Sequence, residues 1–265
     1  MNEIERFYDE YDEWSRFDRH RIEFDITKRY MDLYLPAPQR ILDIGGGPGR
    51  YSLYLAGKGH RVTLLDLSGE SISRAKLESE KAGIQLEGYI HGDALALPEF
   101  ERPFDAVLLM GPLYHLVKEA DRIRAVEQAL SCLKPGGILI AAFISQYGWM
   151  QDCLTHLIMP ETVDSLFQYL DNGVNSDGDG FTTAYFTSAK EARTLMARPE
   201  LQKLAFVGVE NILACKEPEL MALPEEEYQK WLEVGFRMSR NEEVIGTSEH
   251  FLYIGRKRGD KPCDE

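Results

Sequence analysis

The chain is poor in the features that mark most specialised protein classes. Its 265 residues contain only 4 cysteines. Cys132, Cys153, Cys215 and Cys263 are far apart and form no Cys-x-x-Cys pair, so neither a disulfide framework nor a zinc-type spacing is expected in a chain this long. They read as buried or incidental thiols. No run approaches the roughly 20 apolar residues a membrane span requires. The amino-terminal stretch, rich in Glu and Asp, matches neither a signal peptide nor a transit peptide, and the expectation is a cytoplasmic protein without a membrane partner. Lys and Arg number 30 against 44 Asp and Glu, a net charge of −14. Gripping nucleic acid demands clustered cations, and such a cluster appears only at Arg256, Lys257 and Arg258. No nucleic acid is expected, no repeat is visible, and small-molecule chemistry becomes the default.

What is present centres on one stretch, Arg40-Ile41-Leu42-Asp43-Ile44-Gly45-Gly46-Gly47-Pro48-Gly49-Arg50. It reads as a short apolar strand, an acidic residue, a glycine-dense turn and the start of a helix. Gly45, Gly47 and Gly49 alternate. Such a turn needs positive φ and lets a ligand approach a backbone without Cβ. The helix behind it presents unpaired N–H groups and a positive dipole end. Placed after the first strand of an open α/β sheet, this is a nucleotide-cofactor site. The dinucleotide fingerprint is Gly-x-Gly-x-x-Gly; here the third glycine comes one residue early. Asp66 follows the next strand, Arg61 to Leu65, where an acidic side chain can accept both ribose hydroxyls. That residue alone does not separate one adenosine cofactor from another.

The rest of the chain alternates strand and helix. Residues 1–38 read as a helical cap, with Ile4, Phe7, Tyr8, Tyr11 and Trp14 at helical spacing and a second stripe through Ile22, Ile26, Tyr30 and Leu33. The stripe either packs on the domain or brings Tyr8, Tyr11 or Trp14 over the cofactor mouth. Helices are expected over Tyr51–Ala56 and Gly69–Ala82, the latter with Ser68 as N-cap and Gly83 as stop. Strands are expected over Leu86–His91, Pro103–Met110 and Ile138–Ile144, with a helix over Asp121–Leu133 between the last two. The pattern predicts a parallel, doubly wound sheet. Two further helices, Trp149–Met159 and Glu161–Leu170, lie outside it. Asn172–Gly180 reads as a polar loop; a calcium loop would need an acidic first ligand and a terminal Glu, and Gly173 and Ala184 stand there. A helix capped by Thr187 or Ser188, a strand over Lys203–Ile212, a helix over Glu225–Met238 and a last strand, Phe251–Gly255, complete the chain. Residues from 257 on read as a polar tail.

Five segments in order, Asp43–Gly49, Asp66, Asp93, Met110–His115 and Leu133–Gly137, resemble the class I S-adenosylmethionine (SAM) methyltransferases. The likeness covers roughly residues 40–145 and implies a Rossmann-like, doubly wound α/β sheet of seven strands, the seventh antiparallel, over a domain at 39–256. Insertions at about 145–187 and 216–245 would form the acceptor-pocket lid. It implies that Asp43, Gly45, Gly46, Gly47, Gly49, Asp66, Leu67, Asp93, Ala94 and Met110 hold SAM, with S-adenosylhomocysteine as product. Asp93 would contact the adenine amino group and the N–H of Ala94 a ring nitrogen. The Leu-Lys-Pro-Gly-Gly turn is structural in that family.

The resemblance leaves the acceptor open, because one such fold hosts many substrates. No Asn-Pro-Pro-Tyr-like tetrad, metal constellation or catalytic cysteine motif is found. His115, where the acceptor should lie, is the candidate base, since histidine titrates near neutrality. Tyr114 is its partner as pocket wall or hydrogen bonder. The expected function is methyl transfer to O, N or S of a small-molecule acceptor by a monomer or homodimer. A protein or RNA acceptor, a catalytically silent SAM-binding protein and an NAD-dependent dehydrogenase are the rival readings.

Overall fold

The computed structural model describes residues 3–36, 38–157, 167, 169–175 and 181–259. The described strands are β1 (Arg40–Ile44), β2 (Arg61–Asp66), β3 (Gly88–His91), β4 (Phe104–Leu109), β5 (Leu133–Ile144), β8 (Leu201–Gly208) and β9 (His250–Lys257) in one sheet. A separate two-stranded ribbon pairs β6 (Val174–Asn175) with β7 (Ala184–Tyr185). The seven-stranded sheet runs β3-β2-β1-β4-β5-β9-β8. β9, the last strand in the chain, is antiparallel to both neighbours, while β1 to β5 pair in parallel. This is the doubly wound sheet with an inverted seventh strand that the sequence leads one to expect.

Alternation decides what each face of the sheet does. Leu42, Ile44, Val107, Leu109, Leu139 and Ala141 join one core with Ala125, Val126 and Ala129 of helix α5 (Glu119–Cys132). Ile41, Ala106, Leu108, Ile140, Leu252 and Ile254 join another with Ile22, Ile26 and Tyr30 of α2 (Arg21–Tyr34), Leu55 of α3 (Arg50–Gly57) and Tyr228 and Leu232 of α9 (Glu225–Met238). Both faces are therefore covered, as near-continuous apolar strands such as β4 require.

Further helices are α1 (Glu3–Glu10), α4 (Gly69–Ala82), α6 (Gly148–His156), α7 (Ala189–Leu195), α8 (Glu217–Met221) and α10 (Glu242–Ile245). α4 begins at Ser68, whose hydroxyl accepts from Ser71 N–H, and stops at Gly83 in the left-handed region, as its capping residues dictate. Ser188, not Thr187, caps α7, with a reciprocal bond from Glu191 that makes a capping box.

Several boundaries differ from the sequence expectation. The Leu133–Gly137 turn does not precede β5 but bulges within it: Phe104 pairs with Leu133 and Ala106 with Ile138. Its first residue is tied to the end of α5, since Lys257 Nζ donates to the carbonyls of Leu130 and Leu133, each at 2.7 Å. The same bonds keep β9 ordered through Lys257, so residue 257 belongs to the sheet and not to a tail. β8 ends at Gly208, and Asn211–Lys216 is a 3₁₀ turn rather than strand. α6 is a helix as expected, and the polar loop starts with strand β6. Most of the second expected helix, Glu161–Leu170, and residues 176–180 of the loop lie outside the described residues.

Candidate active site

The chain runs outward from β1 to β3, then returns to place β4 on the other side of β1. At such a switch point the two flanking loops diverge and leave a crevice at the carboxyl ends of the strands. Here those loops are Gly45–Gly49 and Gly111–Leu116, and they touch. A Cβ on Gly45 (φ +72°) would lie 2.5 Å from Pro112 Cδ, and one on Gly111 would lie 2.9 Å from the Gly45 carbonyl oxygen. Both positions exclude side chains because the backbones form one wall. The cavity they border is about 170 Å³.

Asp43, Gly45, Gly46, Gly47, Asp66, Leu67, Asp93, Ala94, Met110, Tyr114 and His115 all line this cavity. Gly49 does not. It caps α3 in the left-handed region, where a Cβ would meet Leu64 and Ala75 at 3.1 and 3.3 Å, so its role is to seat the helix against β2 and α4.

Asp43 is buried at the end of β1, accepts the Ser52 hydroxyl at 2.7 Å, and is pushed up to about 6 by burial. Its Oδ2 would lie 2.8 Å from a Cβ on Gly46, which ties that glycine to the carboxylate. Asp66 accepts the Gly47 N–H at 2.7 Å through one oxygen and the Ser68 N–H at 2.8 Å through the other. Burial raises its pKa to about 6 against the pull of those two bonds. A carboxylate offers about four lone-pair sites, so Asp66 keeps one acceptor position per oxygen for a vicinal diol. Asp93 accepts the N–H of Leu95 at 2.9 Å, a local turn bond, while lining the same cavity.

His115 is held on both nitrogens. Nδ1 lies 3.1 Å from the carbonyl oxygen of Thr183, and Nε2 lies 2.8 Å from the Tyr8 hydroxyl. A carbonyl only accepts, so Nδ1 carries the proton and Tyr8 donates to Nε2. Burial lowers the His115 pKa to about 4. The ring is neutral, with its lone pair already engaged. Tyr114 donates to the carbonyl of Met110 at 2.9 Å and, like Tyr8, is pushed well up by burial. Of Tyr8, Tyr11 and Trp14, Tyr8 of α1 lines the cavity, beside Phe17; Trp14 instead lies against Arg50, 4.8 Å from its guanidinium carbon.

The inner end of the cavity carries residues the motifs do not announce. Arg16 binds both oxygens of Glu23, at 2.6 and 3.1 Å, and Glu13 at 2.7 Å. His250, at the start of β9, places Nδ1 2.7 Å from Glu210 Oε1 and 3.9 Å from Glu23 Oε2. Ligand atoms of Glu23, Glu210 and His250 all lie within 4.8 Å of one another, a spacing a cation could bridge. Arg16 already supplies positive charge there, so the group is satisfied as an ion-pair network. Arg193, Arg198 and Arg237, the cations of the inserted regions, pair with Glu242, Glu127 and Glu233 and do not line the cavity.

The fit to SAM rests on these observations. A glycine turn whose Gly47 Cβ position meets nothing closer than 3.7 Å, a carboxylate with spare acceptor positions beside it and a guanidinium at the inner end are compatible with an adenosine, ribose and amino-acid arrangement. Comparison with known proteins agrees. Residues 41–137 match the family model of a methyltransferase domain. The tRNA 5-carboxymethoxyuridine methyltransferase of Escherichia coli is 34% identical over 143 residues, covering 52% of this chain and 50% of that one. The ubiquinone biosynthesis O-methyltransferase of Xylella fastidiosa is 37% identical over 107 residues, 40% of this chain and 42% of the relative. The chain thus spans about half the length, or less, of these curated relatives. The N-methyltransferase NodS of Bradyrhizobium japonicum, solved with S-adenosylhomocysteine, shares the fold at a TM-score of 0.58 and 13% identity, covering 97% of this chain and 100% of its own. The matched segment spans the glycine turn, Asp66, Asp93 and the β4 exit, so residues 41–137 are those of a methyltransferase domain.

Proposed function

We propose that this protein transfers the methyl group of SAM to an O, N or S atom of a small-molecule acceptor. The observation that carries this is the shared cavity. Asp66 and the glycine turn at one end and the neutral, hydrogen-bonded His115 at the β4 exit open into the same space. SAM supplies an electrophilic methyl on a sulfonium that departs as a neutral thioether, so no acid is needed at the leaving group. The chain's own task is alignment and water exclusion, and holding reactants in line is worth up to about 7–11 kcal/mol. In this reading Asp66 holds the ribose, Asp93 and the Ala94 N–H the adenine, and Arg16 turns from Glu23 toward the cofactor's carboxylate. Tyr8 and Tyr114 form the wall beside the methyl group.

A tRNA acceptor, which the Escherichia coli relative's name states for that protein, is the runner-up. The net charge of −14 opposes it, since phosphate binding scales with clustered cations. Calorimetric titration with S-adenosylhomocysteine, with NAD⁺ as control, tests the cofactor reading. Micromolar binding of the homocysteine compound alone supports it, and binding of NAD⁺ alone refutes it.

A further inference from the structure

His115, the histidine the sequence places beside the acceptor, is poorly disposed to take a proton. Its Nε2 accepts the Tyr8 hydroxyl and its Nδ1 is turned to a carbonyl. A second histidine on the same cavity is built differently. The carboxylate of Glu210 grips His250 twice: Oε1 faces Nδ1 at 2.7 Å and Oε2 accepts the backbone N–H of His250 at 2.9 Å. One acid thereby fixes the ring and the strand that carries it. Glu210 is itself buried, 1% exposed, behind His250 and away from the cavity wall. Nδ1 must hold the proton, which leaves Nε2 as the reactive nitrogen, and among the described residues Nε2 takes no hydrogen bond.

Placement leaves room for an acceptor beside the ring, although the Arg16–Glu23 pair adjoins it. His250 pairs with Ile144, the last residue of β5, so it stands at the carboxyl edge of the sheet. It is two strands from β4, whose exit carries Met110 and Gly111, or roughly 10 Å at ordinary interstrand spacing. It shares a face with Leu252, and both line the cavity. That span leaves room for a small acceptor between the ring and a methyl group held near Met110.

Resting on the methyltransferase reading, we propose that His250 is the catalytic base of the transfer and Glu210 its positioning residue, and that the acceptor is a nucleophile bearing an N–H, O–H or S–H proton. The acceptor atom attacks the methyl carbon, the carbon–sulfur bond breaks with its electron pair on sulfur, and the acceptor's proton passes to Nε2. Glu210 and Glu23 stabilise the imidazolium that forms. They also hold the free ring's pKa up at about 9, against burial and Arg16. His20, Glu217 and Glu249 face the same network. The turnover rate therefore climbs with pH toward the alkaline side, as His250 releases its resting proton.

The test uses the full chain with tritium-labelled SAM and four probes: benzylamine, p-cresol, 2-mercaptoethanol and benzoate. Benzoate has no proton to surrender at neutral pH. Expected for H250Q is a fall in kcat of at least 100-fold on a proton-bearing probe, with KM and the S-adenosylhomocysteine Kd within threefold of wild type and any benzoate turnover spared. E210Q should lower kcat about tenfold and move the alkaline limb of the pH profile by one unit or more. Wild-type rates in H250Q, or equal losses on benzoate, overturn the proposal. Nitrogen-15 histidine NMR decides even if no probe turns over. The His250 midpoint should drop by more than one pH unit in E210Q; a midpoint that stays put overturns the pair. Failure of wild type to bind S-adenosylhomocysteine would instead strike the cofactor reading, and the NMR result would still stand for the pair.

Discussion

At the scale of single residues, Asp66 joins two functions in one carboxylate. It orders the turn by accepting Gly47 N–H, and it retains acceptor capacity for a ligand. Hydrogen bonds to charged groups contribute about 1.5–3 kcal/mol each. Asp66→Ala is therefore expected to weaken S-adenosylhomocysteine binding by roughly 30-fold or more, measured by calorimetry on protein whose circular dichroism is unchanged. Undiminished affinity would remove the ribose assignment. Tyr8 makes a different contribution, joining α1 to the β4 exit through His115. Tyr8→Phe leaves a buried Nε2 without its donor at a cost of about 1–2 kcal/mol. Faster hydrogen exchange in α1, by about tenfold, is the expected readout, with α9 as the unaffected reference.

At the scale of elements, the contact between the β1–α3 turn and the β4 exit holds the cleft open. It depends on Gly45 having neither a Cβ nor a restricted φ. Gly45→Ala brings a methyl to 2.5 Å from Pro112 on a backbone at φ +72°, combining overpacking of about 1–3 kcal/mol with left-handed strain of about 1–2 kcal/mol. Gly59→Ala carries only the second penalty, since φ is +92° and nothing lies within 4 Å of the new methyl. Thermal melts should show Gly45→Ala losing clearly more stability than Gly59→Ala, and only the former should lose cofactor binding. Equal losses would mean that the two loops part easily. α7 offers a simpler case: removing its capping box with Ser188→Ala should cost about 1 kcal/mol, with no effect on the cavity.

At the scale of the whole molecule, the buried acids behind the cleft set the pH response. Burial raises Glu217 to about 8, the acid partners of His250 raise it to about 9, and Glu249 is also raised, chiefly by burial. A group whose folded pKa lies above its unfolded value contributes stability that is full below the unfolded value and lost as pH climbs through the folded one. For these groups that window runs from about 4.5–6.5 up to about 8–9. Groups shifted the other way, His20 and His115 at about 4, act only below pH about 6.5. Above that value only losses remain. The melting temperature should be several degrees lower at pH 9 than at pH 6.5, and a flat profile would contradict the protonation of this cluster. In Glu217→Gln, which mimics the protonated acid, the drop should shrink.

Much was legible in the sequence because it rests on local chemistry. Three spaced glycines, an acid after the second strand and caps such as Ser68 and Gly83 act within a few residues of themselves. They determine the cofactor turn, the α4 boundaries and the alternation that builds a doubly wound sheet. Whole-molecule contacts decided the rest. The Leu133–Gly137 segment bulges within β5, and its first carbonyl is bonded by Lys257, more than a hundred residues away. His115 reads from the sequence as the candidate base, and its Nε2 is capped by Tyr8. His250 carried no motif, since its partners Glu210 and Glu23 come from separate parts of the chain and meet only when β9 inserts between β5 and β8. Local signals specify what a segment can become, whereas the charge that faces a buried nitrogen depends on which strands the fold sets side by side.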